Sequence, residues 1–145
     1  MLRTKIALAC DHAGYLHKNK TKEYLENKGY TINDYGCFSE ESVDYPDFAH
    51  QLAESIKKEK SHLGIQFCGT GNGINMSANK HSQIRAALCW NPHIAEQARL
   101  HNNANVLTMP ARHLEWNEVK EIIDVFLSSE FEGGRHQRRV NKISI

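Results

Sequence analysis

Apolar positions along this 145-residue chain follow two periods that take turns. Short apolar runs bounded by turn residues, Lys5–Cys10, Tyr30–Tyr35, Leu63–Cys68, Ile84–Cys89 and Asn105–Met109, read as strands. Stretches of helical period lie between them. Tyr15–Lys28 reads as a helix, and Pro46–Lys58 places Phe48, Ala49, Leu52 and Ile56 on one face. Pro92–His101 opens on a proline, which a first helical turn accepts because the missing N–H would have no partner there. The last long segment carries Val119, Ile122, Ile123, Phe126 and Leu127, a full i, i+3, i+4, i+7, i+8 stripe. Such alternation is the mark of βαβ units, so the expected fold is α/β: a three-layer α/β/α sandwich around a five-stranded parallel, Rossmann-like sheet. With no repeat, low-complexity tract or linker, residues 1–145 are expected to form one domain.

Composition narrows the function classes. Lys and Arg total 18 against 17 Asp and Glu, a net charge of +1, which removes the usual reason to propose nucleic acid as a partner. Any anion bound should be small and held locally. The apolar stretch Ile6–Cys10 before Asp11 and His12 is too short for a signal-peptide core or a membrane span, so a cytoplasmic protein without a membrane partner is expected. Cys10, Cys37, Cys68 and Cys89 are widely spaced with no CxxC pair and read as free thiols.

In open parallel sheets ligands bind beyond the carboxyl ends of the strands, which directs attention to the segments that follow them. These are Cys10-Asp11-His12-Ala13-Gly14, Cys68-Gly69-Thr70-Gly71-Asn72-Gly73, Pro110-Ala111-Arg112, and His101-Asn102-Asn103 after the fourth helix, expected to line one crevice. CGTGNG puts three glycines where backbone N–H groups can meet an anion, although glycines also serve plain strand-to-helix turns. It lacks the Gly-Lys-Ser/Thr of a Walker A loop, and Ile74 stands where GxGxxG needs its third glycine. Cys68 ends a strand just before a helix N-terminus, a setting that favours a thiolate, while a strand-end cysteine is commonly only a small apolar residue. Cys10 and Cys89 are read in that second way.

His101 closes a helix and precedes two amides, so it is either a helix-ending cation or a proton carrier beside a polar ligand. Asp11 and His12 are an acid/base pair or the cap of the next helix. Arg135 and Arg139 share a helical face that suits a phosphate clamp, with Arg138 pointing elsewhere. They follow the Gly133-Gly134 break in a tail, FEGGRHQRRVNKISI, whose Val140 and Ile143 suggest that it docks. None of the nine histidines pairs in HExxH fashion, so no metal site is expected.

Taken together, CDHAG, CGTGNG followed by ANK, IRAALC, the His101–Asn105 segment and GGRHQRRV resemble, in order and over nearly the whole chain, the ribose-5-phosphate isomerase B family. That family includes the galactose-6-phosphate isomerase subunits. The resemblance implies an aldose–ketose isomerase that needs neither metal nor cofactor and interconverts ribose 5-phosphate and ribulose 5-phosphate, a pentose phosphate pathway step, through an enediolate. It implies Cys68 as the base and His101 as proton donor in ring opening. Asp11, His12 and Asn102 would contact sugar or phosphate. Gly69, Thr70, Gly71, Asn72 and Gly73 would hold the enediolate oxygens. Arg112, Arg135 and Arg139 would hold the phosphate, with segment 130–145 completing that site. One branch of the family places a glutamate where Ile74 stands here, and Asn103 replaces the usual aspartate. The resemblance further implies a homodimer, or a dimer of dimers, in which the His101 segment of one subunit meets the Cys68 loop of the next. A galactose- or allose-6-phosphate isomerase subunit and a non-catalytic sugar-phosphate sensor are the alternatives.

Overall fold

The computed structural model describes residues 3–145. Five strands, β1 (Lys5–Cys10), β2 (Thr31–Asp34), β3 (Leu63–Cys68), β4 (Ala86–Leu88) and β5 (Val106–Pro110), form one parallel sheet in the order β2-β1-β3-β5-β4. The helices are α1 (Tyr15–Asn27), α2 (Tyr45–Lys57), α3 (Asn72–Ala78), α4 (Pro92–Asn102), α5 (Trp116–Ser128) and α6 (Arg135–Asn141). Single 3-10 turns, His12–Gly14 and Ala111–His113, follow β1 and β5.

The strand period of two sorts the core into two layers. Ile6, Leu8 and Cys10 point to one face with Ile65, Phe67, Leu107 and Met109, where they meet Leu25 of α1, Ala95 and Ala98 of α4, and the Val119–Phe126 stripe of α5. Ala7, Ala9, Cys68 and Val106 point to the other face, against Ala49, Leu52 and Ala53 of α2 and Ile74 and Ala78 of α3. Small residues there let α2 lie close: a Cβ on Gly64 would come within 2.7 Å of Leu52 Cδ2. Burying each large side chain stabilises the fold by about 1.5–3 kcal/mol.

Two buried polar side chains show how their donors are satisfied inside this core, although Gln66 Oε1 has no partner. Gln66 donates through Nε2 to the Ile74 carbonyl at 3.2 Å and to Thr108 Oγ1 at 2.9 Å. Lys18, buried on α1, donates to both Asp34 oxygens at 2.9 and 2.8 Å.

Helix ends follow their local chemistry. Asn91 caps α4 by accepting from the Ile94 N–H at 2.9 Å, ahead of Pro92. Glu115 and Glu118 form a capping box on α5. Asn103 ends α4 with φ of 49°, a left-handed conformation that asparagine tolerates better than most side chains, which gives Asn103 a structural use at this position.

The expected sheet is present, with β1 and β3 at their expected bounds. Strands β2 and β4 are shorter than expected because each is an edge strand with one neighbour to pair with. The tail docks as α6 against α4, with Val140 half-buried, although Ile143 stays 56% exposed. Among the described residues no helix is long and apolar enough to cross a membrane.

Candidate active site

All five strands end at the same edge of the sheet, and three of the expected segments meet there. The Asp11 N–H donates to the Phe67 carbonyl at 3.2 Å, which ties the loop after β1 to the end of β3. This approach depends on Gly14, where a Cβ would sit 2.5 Å from the Phe67 Cβ. The nearly buried Asp11 carboxylate accepts from the Ala13 N–H at 2.9 Å and so caps the 3-10 turn, the simpler of its two readings from sequence. His12 Nδ1 accepts from the Val43 N–H at 3.2 Å. In the neutral ring the proton therefore resides on Nε2, which makes His12 a donor on its other side.

Cys68 closes β3 with 4% exposure, and the glycine loop begins at once. The Gly69 carbonyl accepts from the Arg112 N–H at 3.1 Å, and the Arg112 guanidinium lies along the Gly69 Cα. Gly71 has φ of +80° and abuts Leu88 and the Met109–Pro110 backbone, so conformation and space both call for glycine. The Asn72 N–H donates to Thr70 Oγ1 at 3.3 Å. Gly73 is covered by the ring of Tyr45 from the first turn of α2.

The other strand-end thiols are inert by environment. Burial, followed by the Cys37 sulfur 3.8 Å away, pushes the Cys10 thiol up, and burial pushes Cys89 up to about 12. All four cysteines are free.

His101, Asn102 and Asn103 lie elsewhere, so the four segments expected to line one crevice do not all meet within one chain. A crossover helix starts at the carboxyl edge of a parallel sheet and returns the chain to the amino edge. Helix α4 follows β4, and its eleven residues carry the chain about 16 Å back. The segment is anchored at that far edge: the Asn103 carbonyl accepts from Arg85 Nε at 2.7 Å ahead of β4, and the Asn105 carbonyl from the Gly64 N–H at 2.9 Å near the start of β3. Strand β3 spans about 16 Å between the edges.

Helix α6 joins His101 there. The Glu132 N–H donates to the Leu100 carbonyl at 3.0 Å, and the His136 ring stacks on His101 with centroids 4.2 Å apart and planes 11° apart. Arg135 and Arg139 are therefore at the amino edge, exposed, while Arg112 is at the carboxyl edge. The chain carries two half-sites: Asp11, His12, Cys68, Gly69–Gly73 and Arg112 on one edge, and His101, Asn102, Arg135 and Arg139 on the other.

Sequence reasoning named Tyr45 as a side chain bearing on pocket depth without placing it, and missed a second feature altogether. Tyr45 reaches the glycine loop because α2 begins beside it, and the only sequence signal was its place before Pro46 at a helix start. Helix α6 also gathers His101, Glu132 and His136, whose potential ligand atoms lie within 4.8 Å of one another, although their sequence spacing matches no metal motif.

Comparison with known proteins places this geometry in a family. A family profile described as Ribose/Galactose Isomerase matches residues 6–143. The structure of a ribose 5-phosphate isomerase from Thermotoga maritima superposes with a TM-score of 0.96 at 48% identity, covering 98% of each chain. A ribose-5-phosphate isomerase B from Mycoplasma genitalium, solved with bound ribulose-5-phosphate, gives 0.94 at 42% identity over 99% of this chain and 95% of that one. Ribose-5-phosphate isomerase B of Escherichia coli is 41% identical over 140 residues, 97% of this chain and 94% of its own. The chain is an α/β protein of the sugar isomerase class. It belongs to the ribose/galactose isomerase family.

Proposed function

We propose that the protein interconverts ribose 5-phosphate and ribulose 5-phosphate, with the whole chain acting as one isomerase domain and no metal or cofactor taking part. The observation that carries this reading is the position of Cys68: it closes β3 immediately before the Gly69–Gly73 loop, at the edge of the sheet that also carries His12 and Arg112. A relative of the same fold solved with ribulose-5-phosphate supports the choice of substrate.

Isomerisation moves one proton between adjacent carbons. In the open-chain aldose the Cys68 sulfur takes the C2 proton, and the electron pair moves through C1–C2 to the carbonyl oxygen. The glycine-loop N–H groups hold the resulting enediolate oxygens; one such donor is typically worth about 2.7–4 kcal/mol at a developing oxyanion. The carbon-bound proton returns to C1 while the O2 proton passes to O1, so that O2 becomes the carbonyl and O1 the hydroxyl of ribulose 5-phosphate.

Ring opening requires a proton donor at the ring oxygen, and the phosphate requires cations beyond Arg112. The half-site of His101, Asn102, Arg135 and Arg139 supplies both when a second copy presents it to the Cys68 loop, with segment 130–145 completing the phosphate site. The active assembly is therefore a two-fold homodimer, alone or doubled into a tetramer, with two shared sites. Four free thiols suit a reducing, cytoplasmic setting for such an enzyme.

Replacing Cys68 with Ala tests the reading. The variant should bind sugar phosphate, as its arginines are intact, while isomerisation and solvent exchange at C2 fall by about a hundredfold or more. Exchange near the wild-type rate would reject Cys68 as the base. Wild-type activity should survive dialysis against a chelator, and loss restored only by a divalent metal would reject the metal-free reaction.

A further inference from the structure

His136 has no part in the mechanism above, yet it is 6% exposed, lies face to face with His101, and its Nε2 has no hydrogen-bond partner. The Glu132 carboxylate is 3.6 Å from that nitrogen, reaching it from the connection that precedes α6. We propose that His136 is a positioning residue for His101, fixing the plane of its ring and leaving the stacked pair room for a single proton. The proposal rests on the reading of His101 as the donor in ring opening.

The near-parallel planes favour this over a metal site. A metal lies in the plane of each imidazole that binds it, about 2.1 Å from the nitrogen. Two face-to-face rings with centroids 4.2 Å apart and planes 11° apart offer no common point that meets this condition.

The surroundings of His136 disfavour its charged form. Burial disfavours its cation first, then His101 from α4, with Arg135 and Arg139 from α6 adding to the effect and Glu132 from the preceding connection opposing it. All but Glu132 act against charging His136. Two imidazolium rings at this separation repel, and a His136 kept neutral by burial offers His101 a flat, uncharged face. The fixed plane aims the His101 N–H, which is what a donor to a furanose ring oxygen requires.

Two measurements test the proposal on the full-length protein. Histidine NMR titration of the wild type should show His101 and His136 titrating as one coupled pair in two steps. In His136→Phe, His101 should titrate in a single step. Independent single titrations in the wild type would overturn the proposal without reference to catalysis.

The second measurement is kinetic. His136→Ala should lower kcat for ribose 5-phosphate by about tenfold, with KM changed less than about threefold, because orientation of the donor is lost while substrate binding is kept. Wash-in of solvent deuterium at C1 of ribulose 5-phosphate needs the base but no ring opening, and it should stay near the wild-type rate. The flat ring of His136→Phe should recover most of the lost kcat. Equal loss in turnover and wash-in, or no rescue by Phe, would reduce His136 to packing and overturn the proposal. Retention of wash-in by Cys68→Ala would instead overturn the proposed base and leave the coupled titration standing, so the two failures are distinguishable.

Discussion

Arg112 and Gly69 are joined twice: the Arg112 N–H donates to the Gly69 carbonyl at 3.1 Å, and a Cβ on Gly69 would come within 3.1 Å of the Arg112 Nη1. The guanidinium thus uses the space that a side chain at Gly69 would take, one residue after Cys68. Gly69→Ala keeps an allowed backbone but pushes the guanidinium aside by a few tenths of an ångström. KM for ribose 5-phosphate should rise by about fivefold, the equivalent of about 1 kcal/mol of a charge-assisted bond, with the melting temperature little changed. Unchanged KM with a lowered melting temperature would show that the contact serves folding alone.

The arginines of α6 allow a sharper contrast. Arg135 and Arg139 are four residues apart and share a face, whereas Arg138 is turned about 100° from Arg139. Arg139→Ala should lower kcat/KM by about tenfold to a hundredfold, because a charge-assisted contact is worth about 1.5–3 kcal/mol and part of it positions the reacting carbons. Arg138→Ala should change kcat/KM by less than about twofold, the range of an exposed charge. Equal losses at both positions would replace the clamp with diffuse attraction.

The fold was legible where one face must be buried. The Val119–Phe126 stripe of α5 and the alternation in β1 state their own burial, and both lie where the pattern put them. The short edge strand β4 was overdrawn, since apolar residues continue past Leu88 into Cys89 while the ladder does not. Strand order carries no such local mark: nothing in residues 86–88 says that β4 lies outside β5. Half of the candidate site was legible for the same reason, because loops after strands share an edge. His101 was grouped by polarity with the strand-end loops, although a helix between two parallel strands must end where the next strand begins, and only the family resemblance set it against the Cys68 loop of another subunit. The stack with His136 joins residues 35 apart and left no periodic trace.

Buried thiols give the protein an alkaline weakness. Burial raises Cys89 from an ordinary value near 9 to about 12 and raises Cys10 further still. A folded-state value above the unfolded one means that the native protein holds a proton the unfolded chain releases. This stabilisation is complete below about pH 9 and is lost as pH rises towards 12. Thermal denaturation between pH 8 and 11 should show a falling melting temperature, and Cys89→Ala, though less stable at pH 8, should fall less steeply, as measured by circular dichroism at about one-unit pH steps. Parallel slopes would remove Cys89 from the alkaline transition.

The two half-sites can be tested as halves. Cys68 lies at the carboxyl edge of the sheet and His101 at the amino edge, so in a shared-site dimer each site takes one residue from each chain. Cys68→Ala and His101→Ala proteins, each inactive alone, should regain activity when unfolded together and refolded as a mixture. A mixed dimer then has one site with both residues and one with neither. Random pairing makes about half of the dimers mixed, so recovery should approach about a quarter of the wild-type sites. Separate refolding followed by mixing should recover less, to the extent that dimers do not exchange subunits. If a mass tag shows mixed dimers and no activity returns, Cys68 and His101 do not meet across the two-fold axis, and the shared-site assembly is rejected.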